Sequence, residues 1–291
     1  GGVVDDLPEL ITWRRGRCLA YGDGNAFWAF GEMIKAQTGI LETDSEADAA
    51  SKLAAAVEAV IPDEHEGKWV TPHLRALVGL DVTRSARKDR QNEAFAAWRT
   101  YLEALADQRP LVLVFEDLHW ADDGLLDFVD DLVERLSDVP LLVVATTRPE
   151  LLERRPAWGG GKLNATTIGL SPLSDADTTL IIEGVLESAA LPRETLKLLL
   201  GRVEGNPLYA EQFSELFRER GSADSMPLPE NLQGIIAARI DGLGREDKAV
   251  LLDAAVVGKV FWSGALRRGD ADLETLLMSL MRKGFVARQR R

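Results

Sequence analysis

Residues 111–148 decide the fold of this chain, and they read LVLVFEDLHWADDGLLDFVDDLVERLSDVPLLVVATTR. The stretch begins with an uninterrupted apolar run at residues 111–115 and reaches a second one at residues 141–145. Four apolar residues recur between the two runs at helical spacing, namely Leu125, Val129, Leu132 and Leu136. Two continuous apolar strands around an amphipathic helix are typical of a βαβ unit, whose parallel sheet is buried on both faces. The stretch therefore predicts an α/β domain.

The rest of the chain is mixed before residue 171 and helical after it. Further strands are predicted at residues 12–19 and, from weaker patterns, at residues 166–170 and 285–287. Residues 63–90 mix charge, proline and short apolar runs without a clear pattern. The stretch 221–229 contains glycine, serine and two prolines, which predicts a linker. Helical patterns cover residues 27–38, 47–60, 93–106, 180–186, 196–203, 207–221 and 232–243, with two more around Val250 and Leu276.

Length and composition exclude several classes of protein. The 291 residues suit two or three domains, and 46% hydrophobic with 28% charged residues is globular. The net charge of −13 argues against a general binder of nucleic acids or of anionic membranes. No apolar run approaches the roughly 20 residues of a membrane span, so we expect no membrane association. The single cysteine, Cys18, excludes a disulfide framework and indicates a reducing, cytoplasmic location.

Polar residues follow both strands of the βαβ unit. Glu116 and Asp117 come directly after the first strand, and Arg148 follows the second after two threonines. Ligands of open α/β sheets bind at the carboxyl ends of strands, where acids can hold Mg²⁺ through water and orient an attacking water. Arg148 could reach a γ-phosphate with its planar fork. Two alternatives stay open: the acids only begin a loop, and Arg148 is a surface residue paired with one of them.

The other candidate residues favour structural roles. Asp122 is predicted to cap the helix that follows it, and Cys18 to be a buried strand residue rather than a nucleophile. The three histidines show no metal-ligand spacing. Gly22 and Gly24 predict a tight turn, and the basic residues at the C-terminal end predict a solvated surface rather than a DNA contact.

Residues 112–122, VLVFEDLHWAD, resemble the Walker B segment of signal-transduction ATPases with numerous domains, the STAND branch of the AAA-like P-loop NTPases. More narrowly, the chain is similar to the ATPase module beside class III adenylate/guanylate cyclase domains and in LuxR-type regulators of bacteria. The resemblance extends over nearly the whole chain. Further matching segments are residues 13–19, 145–149, 205–209, 228–236 and 254–258.

The resemblance implies an α/β fold with three parts. Residues 1–170 would form a parallel-sheet P-loop NTPase domain that lacks its first strand. Residues 171–225 would form an all-α lid, and residues 228–291 a partial winged-helix domain.

The resemblance also implies ATP and Mg²⁺ as cofactors, and it assigns roles. Glu116 matches the Walker B acid that holds Mg²⁺ through water, and Asp117 matches the acid that positions the attacking water. Arg148 matches the sensor arginine that faces the γ-phosphate. In the segment Gly205, Asn206 and Pro207, the proline matches the residue that packs on adenine.

One motif of that family is absent. The chain has no G-x-x-x-x-G-K-[ST] sequence, the Walker A loop that precedes a segment like residues 12–19 in such proteins. We therefore interpret the chain as a piece of a longer protein, cut at both ends, that is inactive alone and binds ATP weakly or not at all.

The sequence thus predicts an ATP-binding and ATP-hydrolysing switch module of a multidomain bacterial regulator. Its expected partners are ATP and ADP, appended cyclase, helix-turn-helix or helical-repeat domains, and further copies of itself in a nucleotide-dependent manner. Direct binding of nucleic acid by this region is not expected. The alternative is a non-catalytic interaction or DNA-binding scaffold that uses the same fold without turnover.

Overall fold

The structure is a computed structural model, and eight segments of the chain are described: residues 11–20, 26–80, 88–136, 138–186, 191–220, 232–258, 260–266 and 273–288. The chain divides into two compact units, Gly1–Ile168 and Gly169–Arg291. Within the described segments, no helix has the length and apolar character needed to cross a membrane.

The first unit contains three strands and six α-helices among its described residues. In chain order they are β1 (Thr12–Arg17), α1 (Trp28–Thr38), α2 (Glu46–Val60), α3 (Glu64–Leu77), α4 (Lys88–Gln108), β2 (Leu111–Glu116), α5 (Asp123–Arg135), β3 (Leu141–Ala145) and α6 (Glu150–Arg154). A single 3₁₀ turn, Leu118–Trp120, joins β2 to α5. The predicted βαβ unit is confirmed as β2–α5–β3.

The three strands form one parallel sheet in the order β1-β2-β3. Because register partners in a parallel sheet point to the same side, alternate residues of the three strands share a face. One face is covered by helices, and Leu113 and Phe115 of β2 are fully buried there with Phe128 of α5. The opposite face is open on its outer strands, since Leu142 of β3 is 56% exposed and Trp13 of β1 is also exposed. The expectation of a sheet buried on both faces is therefore wrong for the outer strands.

An aromatic cluster joins α1, α4 and α5 above the covered face. Trp98 of α4 packs edge-on against Phe30 of α1 and Phe128 of α5, with ring centroids 5.5 and 5.1 Å apart. Edge-to-face packing of this kind adds about 0.5–1.5 kcal/mol per pair to the burial of the rings. The helices α2, α3 and α5 begin at side-chain caps, and for α5 Asp122 accepts from the backbone N–H of Leu125 at 3.0 Å, as predicted.

The described part of the second unit is helical. It contains α7 (Asp175–Leu186), α8 (Arg193–Val203), α9 (Pro207–Arg220), α10 (Leu232–Asp241), α11 (Arg245–Val257) and α12 (Leu273–Arg282). Ile182 and Val203 belong to the core of α7 to α9, and Val250 and Leu280 to the core of α11 and α12. Arg239 of α10 is buried, donates to the side chain of Gln212 and to the Lys283 carbonyl, and lies over the Phe285 ring.

Two of the weaker strand predictions are wrong. Residues 166–170 form no strand and pair with none of the three strands of the sheet, and Ile168 and Leu170 are 78% and 94% exposed. Residues 285–287 also form no strand. There the backbone N–H of Phe285 donates to Leu280 and so closes the end of α12, with Gly284 at φ 72°. The winged-helix strand expected at this position is thus absent.

Several predicted helices are confirmed, and other predictions lie outside the described residues. The helices expected at residues 27–38, 47–60 and 93–106 are confirmed as α1, α2 and α4, while α3 lies where the sequence has no clear pattern. The tight turn at Gly22 and Gly24, the linker at 221–229 and the terminal arginines at 290 and 291 lie outside the described residues.

Tyr101 of α4 leads to a testable prediction. Its side chain is fully buried, and its hydroxyl finds no hydrogen-bond partner among the described residues. Because an unpaired buried hydroxyl costs about 1–3 kcal/mol, Tyr101→Phe should raise the free energy of unfolding by about 1 kcal/mol at pH 7. Urea titration followed by tryptophan fluorescence measures the change, and a loss of stability at pH 7 would contradict the unpaired state of the hydroxyl.

Tyr101→Phe should also change how the free energy of unfolding depends on pH above pH 10. Burial raises the pKa of Tyr101 from 10.0 to about 12, against a smaller opposite effect of Arg14. A folded-state pKa above the unfolded value gives stability that is present below pH 10 and is lost as the pH rises towards 12. Each pH unit in that window costs up to about 1.4 kcal/mol for one such group. Cys18, whose pKa is raised from 9.0 to about 12, keeps its own contribution in both proteins. The variant should therefore lose less stability than the wild type above pH 10.

Candidate functional site

The carboxyl ends of all three strands are tied together at one edge of the sheet. The backbone N–H of Cys18 donates to the Glu116 carbonyl at 2.9 Å, just past the end of β1. On the other side, Thr146 donates to the Phe115 carbonyl, and Leu118 donates to the Thr146 carbonyl, both at 2.9 Å. The ends of β1, β2 and β3 therefore form one continuous backbone platform, as the parallel arrangement predicts.

Asp117 occupies a strained turn at the centre of this platform. Its backbone is left-handed, with φ 57° and ψ 41°, a conformation that costs a non-glycine residue about 1 kcal/mol or more. The surroundings hold it there: its N–H donates to Thr146 Oγ1 at 3.3 Å, and its Oδ2 accepts from Arg17 Nε at 2.6 Å. The N–H of Trp120 donates to its carbonyl at 2.9 Å. Both the backbone and the carboxylate of Asp117 are thus fixed by residues of neighbouring segments.

Glu116 lies beside Asp117 and also faces an arginine of β1. Its Oε1 is 3.5 Å from Arg15 Nε, and about a quarter of its side chain is exposed. Sequence reasoning did not single out Arg15 and Arg17 as partners of the acids. The alternation of β1 places Trp13, Arg15 and Arg17 on one face, but the register that pairs Arg17 with Glu116 is seen only in the structure.

Arg148 lies two residues beyond Thr146 and is exposed. Its side chain forms no ion pair with any of the described residues, while its carbonyl accepts from the Leu151 N–H at 3.1 Å. The reading in which Arg148 pairs with Glu116 or Asp117 is therefore not what the structure shows, because Arg15 and Arg17 occupy that place.

The segment Gly205, Asn206 and Pro207 belongs to the second unit, where it begins α9. Gly205 has φ 72°, and a Cβ there would lie 2.4 Å from the carbonyl oxygen of Leu173, so that only glycine fits. The Leu173 N–H donates to the Gly205 carbonyl at 2.9 Å, and Asn206 Oδ1 accepts from the Tyr209 N–H at 3.3 Å. The backbone of this segment is thus tightly specified.

Other polar groups near the strand ends take structural roles. Burial, with smaller contributions from Asp122 and Asp117, raises the pKa of the Cys18 thiol to about 12, which favours the protonated, buried residue that the sequence predicts over a nucleophile. Burial also raises the pKa of Asp122, although backbone N–H groups of Leu125 and Gly124 oppose the effect. No group of three or more metal-binding side chains occurs among the described residues.

The platform has the chemistry for a hydrated divalent cation but not for a whole nucleotide. The carboxylates of Glu116 and Asp117 and the hydroxyl of Thr146 are oxygen ligands of the kind that Mg²⁺ prefers, directly or through water. Both carboxylates are currently paired with arginines, so a cation would have to displace Arg15 and Arg17 or share the acids with them. A glycine-rich phosphate cradle with its lysine is absent from this sequence.

A comparison with known protein families concerns the first unit of the chain. Residues 3–144, which include β1, β2, α5 and most of β3, match the family model of the AAA ATPase domain. This match supports an AAA-like P-loop ATPase module in the first unit of the chain.

A curated relative aligns with more than half of the chain. Over 220 residues the chain is 27% identical to an uncharacterized protein of Rhizobium meliloti (strain 1021), and the alignment covers 69% of this chain. The chain spans only about a fifth of the length of that relative, since 20% of the relative is covered. No solved structure matches the chain.

Proposed function

We propose that the chain is the switch region of a STAND-type signal-transduction ATPase, which binds and hydrolyses Mg-ATP as part of a longer protein. The observation that carries the proposal is the pair Glu116 and Asp117 at the joined strand ends, with Thr146 and Arg148 on the adjacent strand end. Phosphoryl transfer depends on positioning and charge stabilisation, and this edge of the sheet supplies acids, a hydroxyl and a cation within one rigid platform.

Each residue has a proposed task. Glu116 holds the water shell of Mg²⁺, and Asp117, fixed by Arg17 and Thr146, orients the attacking water. Arg148 contacts the γ-phosphate and so distinguishes ATP from ADP. Bound Mg²⁺ would neutralise charge on the phosphates, whereas the protein residues determine where water and phosphate lie. In the second unit, Pro207 packs on adenine.

The phosphate cradle would come from a part of the longer protein outside this chain. Two features of the first unit support this view. The outer edge of β3 has no strand partner among the described residues, and the open face of the sheet exposes Leu142 and Val144 of β3 and Trp13 of β1. A strand that pairs with β3, followed by a helix on the open face, would satisfy the free backbone groups and bury these side chains.

We extend the proposal to the architecture of the whole protein. Residues 171–225 would act as a helical lid and residues 228–291 as part of a winged-helix domain, whose arrangement changes with the bound nucleotide. Output would come from appended cyclase, helix-turn-helix or helical-repeat domains. Self-association that depends on the nucleotide is part of the same proposal.

Titration with Mg-ATP tests the proposed function. The chain alone should show no low-micromolar binding by calorimetry, because the loop whose backbone donors and lysine provide most phosphate contacts is absent. The full-length protein should bind Mg-ATP in that range. Tight binding by the chain alone would contradict the external origin of the cradle, and a full-length protein that does not bind Mg-ATP would contradict the proposed function.

One observation favours the second candidate, a scaffold without turnover. Both acids lie beside arginines of β1, Asp117 at 2.6 Å from Arg17 and Glu116 at 3.5 Å from Arg15, as suits a site that never engages a cation. One measurement distinguishes the two candidates, because only the ATPase has Mg²⁺-dependent ATP turnover that depends on Glu116.

A further inference from the structure

Arg148 lies on a short connection that is fastened at both ends to the same part of the molecule. At its start, both backbone groups of Thr146 are bonded: its N–H donates to the Phe115 carbonyl, and its carbonyl accepts from the Leu118 N–H. These partners flank the two acids, Glu116 and Asp117, in the sequence. The first anchor therefore fixes the connection to the turn that carries the acids.

The second anchor lies seven residues beyond Arg148 and is made by side chains. Arg155 bridges two acids of α5: its Nη1 is 2.6 Å from Asp127 Oδ1, and its Nη2 is 3.0 Å from Asp123 Oδ1. The Nε of Arg155 also donates to Asp123 Oδ1 at 3.1 Å. One planar guanidinium thus spans two acids that are four residues apart on one helix face.

Neighbouring contacts extend the second anchor. Arg154 Nη2 donates to the Ala121 carbonyl at 2.7 Å, and Leu151 of α6 is buried in the main core. Because α6 has only five residues, its own hydrogen bonds cannot hold it in place. Contacts with α5 and with the turn before it must therefore fix where the connection runs.

We propose that Arg155 is a positioning residue for Arg148: through Asp123 and Asp127 it fixes residues 146–155 on α5 and thereby sets the place of Arg148 relative to Glu116 and Asp117. The inference rests on the proposed role of Arg148 in distinguishing ATP from ADP. Arg155 pairs with Asp123 and Asp127 and not with Glu116 or Asp117, and the proposed function gives it no contact with the nucleotide. Its effect on nucleotide preference passes through the connection.

The ion pairs of Arg155 with Asp123 and Asp127 contribute little to the global free energy of unfolding. Asp123 and Asp127 are largely exposed, and exposed ion pairs contribute about 0–1 kcal/mol each. The loss of Arg155 should therefore leave the first unit folded while the connection becomes mobile. This difference separates a positioning role from a general stabilising one.

Hydrogen exchange of the chain tests the anchor without any nucleotide. In Arg155→Ala, the amides of peptides covering residues 149–158 should exchange at least about fivefold faster, while the amides of α5 stay protected. Arg135→Ala is the matched control, since it removes an ion pair within α5, with Asp131, that does not touch the connection. Unchanged exchange over residues 149–158 in Arg155→Ala overturns the proposal.

Nucleotide preference in the full-length protein tests the consequence. The ratio of the dissociation constants for ADP and ATP, measured by calorimetry with Mg²⁺, should fall at least about threefold in Arg155→Ala, and less in Arg155→Lys, which keeps one of the two contacts. Arg135→Ala should keep the wild-type ratio.

The double variant of Arg148→Ala and Arg155→Ala separates action through Arg148 from an independent effect. If Arg155 acts through Arg148, the double variant discriminates no worse than Arg148→Ala alone. Additive losses, or full discrimination in Arg155→Ala, overturn the proposal. A wild-type protein that binds neither nucleotide contradicts the proposed function instead. The exchange experiment then still decides whether Arg155 anchors the connection.

Discussion

In the full-length protein, Glu116→Gln is expected to lower Mg²⁺-dependent ATP turnover at least about 100-fold and to leave ATP affinity within a few-fold of the wild type. The glutamine keeps the size of the side chain but removes the charge that would hold the water shell of the metal. That charge matters more in the transition state than in the bound ground state, so the turnover number falls while binding survives. Steady-state phosphate release and calorimetric titration measure the two quantities.

A matched control separates this effect from a general loss of charge. Glu153 of α6 is an exposed acid in the same unit, and Glu153→Gln should turn over ATP at the wild-type rate. The fold should tolerate Glu116→Gln, because the Glu116–Arg15 contact is long, at 3.5 Å, and Arg15 is mostly exposed. Turnover by Glu116→Gln at the wild-type rate would falsify the Walker B role of Glu116 and favour the scaffold.

The sequence predicts the strand ends well because the physical signals there are local. Two apolar runs that end in polar residues identify β2 and β3, and parallel pairing then brings Glu116 and Thr146 to one edge. The cap at Asp122 is equally local, since it needs only a short acidic side chain before a helical pattern.

The partners of the acids depend on pairing between distant segments. Arg17 and Asp117 are 100 residues apart, so their contact follows from which strand lies beside β2 and in which register. A single sequence contains no direct signal for either. The alternation of β1 limits Arg15 and Arg17 to one face, but only the structure shows that this face carries Glu116.

The two failed strand predictions concern segments that have no strand partner among the described residues. Residues 166–170 have the composition of a strand, but composition alone does not form one, since the backbone groups must pair with another strand, and this segment pairs with none of the three strands. Residues 285–287 instead follow the end of α12 directly. The amides of Gly284 and Phe285 donate to the terminal carbonyl groups of that helix, so they are not free to pair in a strand. The helix α3 was obscured by Pro72 in its interior, which normally argues against a helix.

Gly16→Ala is expected to be the most damaging small substitution in the first unit. Gly16 of β1 faces α1, and a Cβ at this position would lie 2.0 Å from the carbonyl oxygen of Ala29 and 2.6 Å from its carbonyl carbon. Both atoms belong to the helix backbone, so no side-chain rotation can relieve the contact. Either α1 or β1 must move, which disturbs the packing of Phe30 and Ile34 in the core. We expect the free energy of unfolding to fall by more than about 3 kcal/mol.

Gly67→Ala provides the matched control in the same unit. Gly67 lies in α3, and its added Cβ would meet only ordinary contacts at 3.8 Å, from Ile61 and Val57. Because alanine favours a helix over glycine by about 1 kcal/mol, this variant should be neutral or slightly stabilised. Urea titration followed by tryptophan fluorescence reports mainly on this unit, since six of the seven tryptophans precede residue 169. If the two variants were equally stable, α1 could not lie as close to β1 at Gly16 as the structure shows.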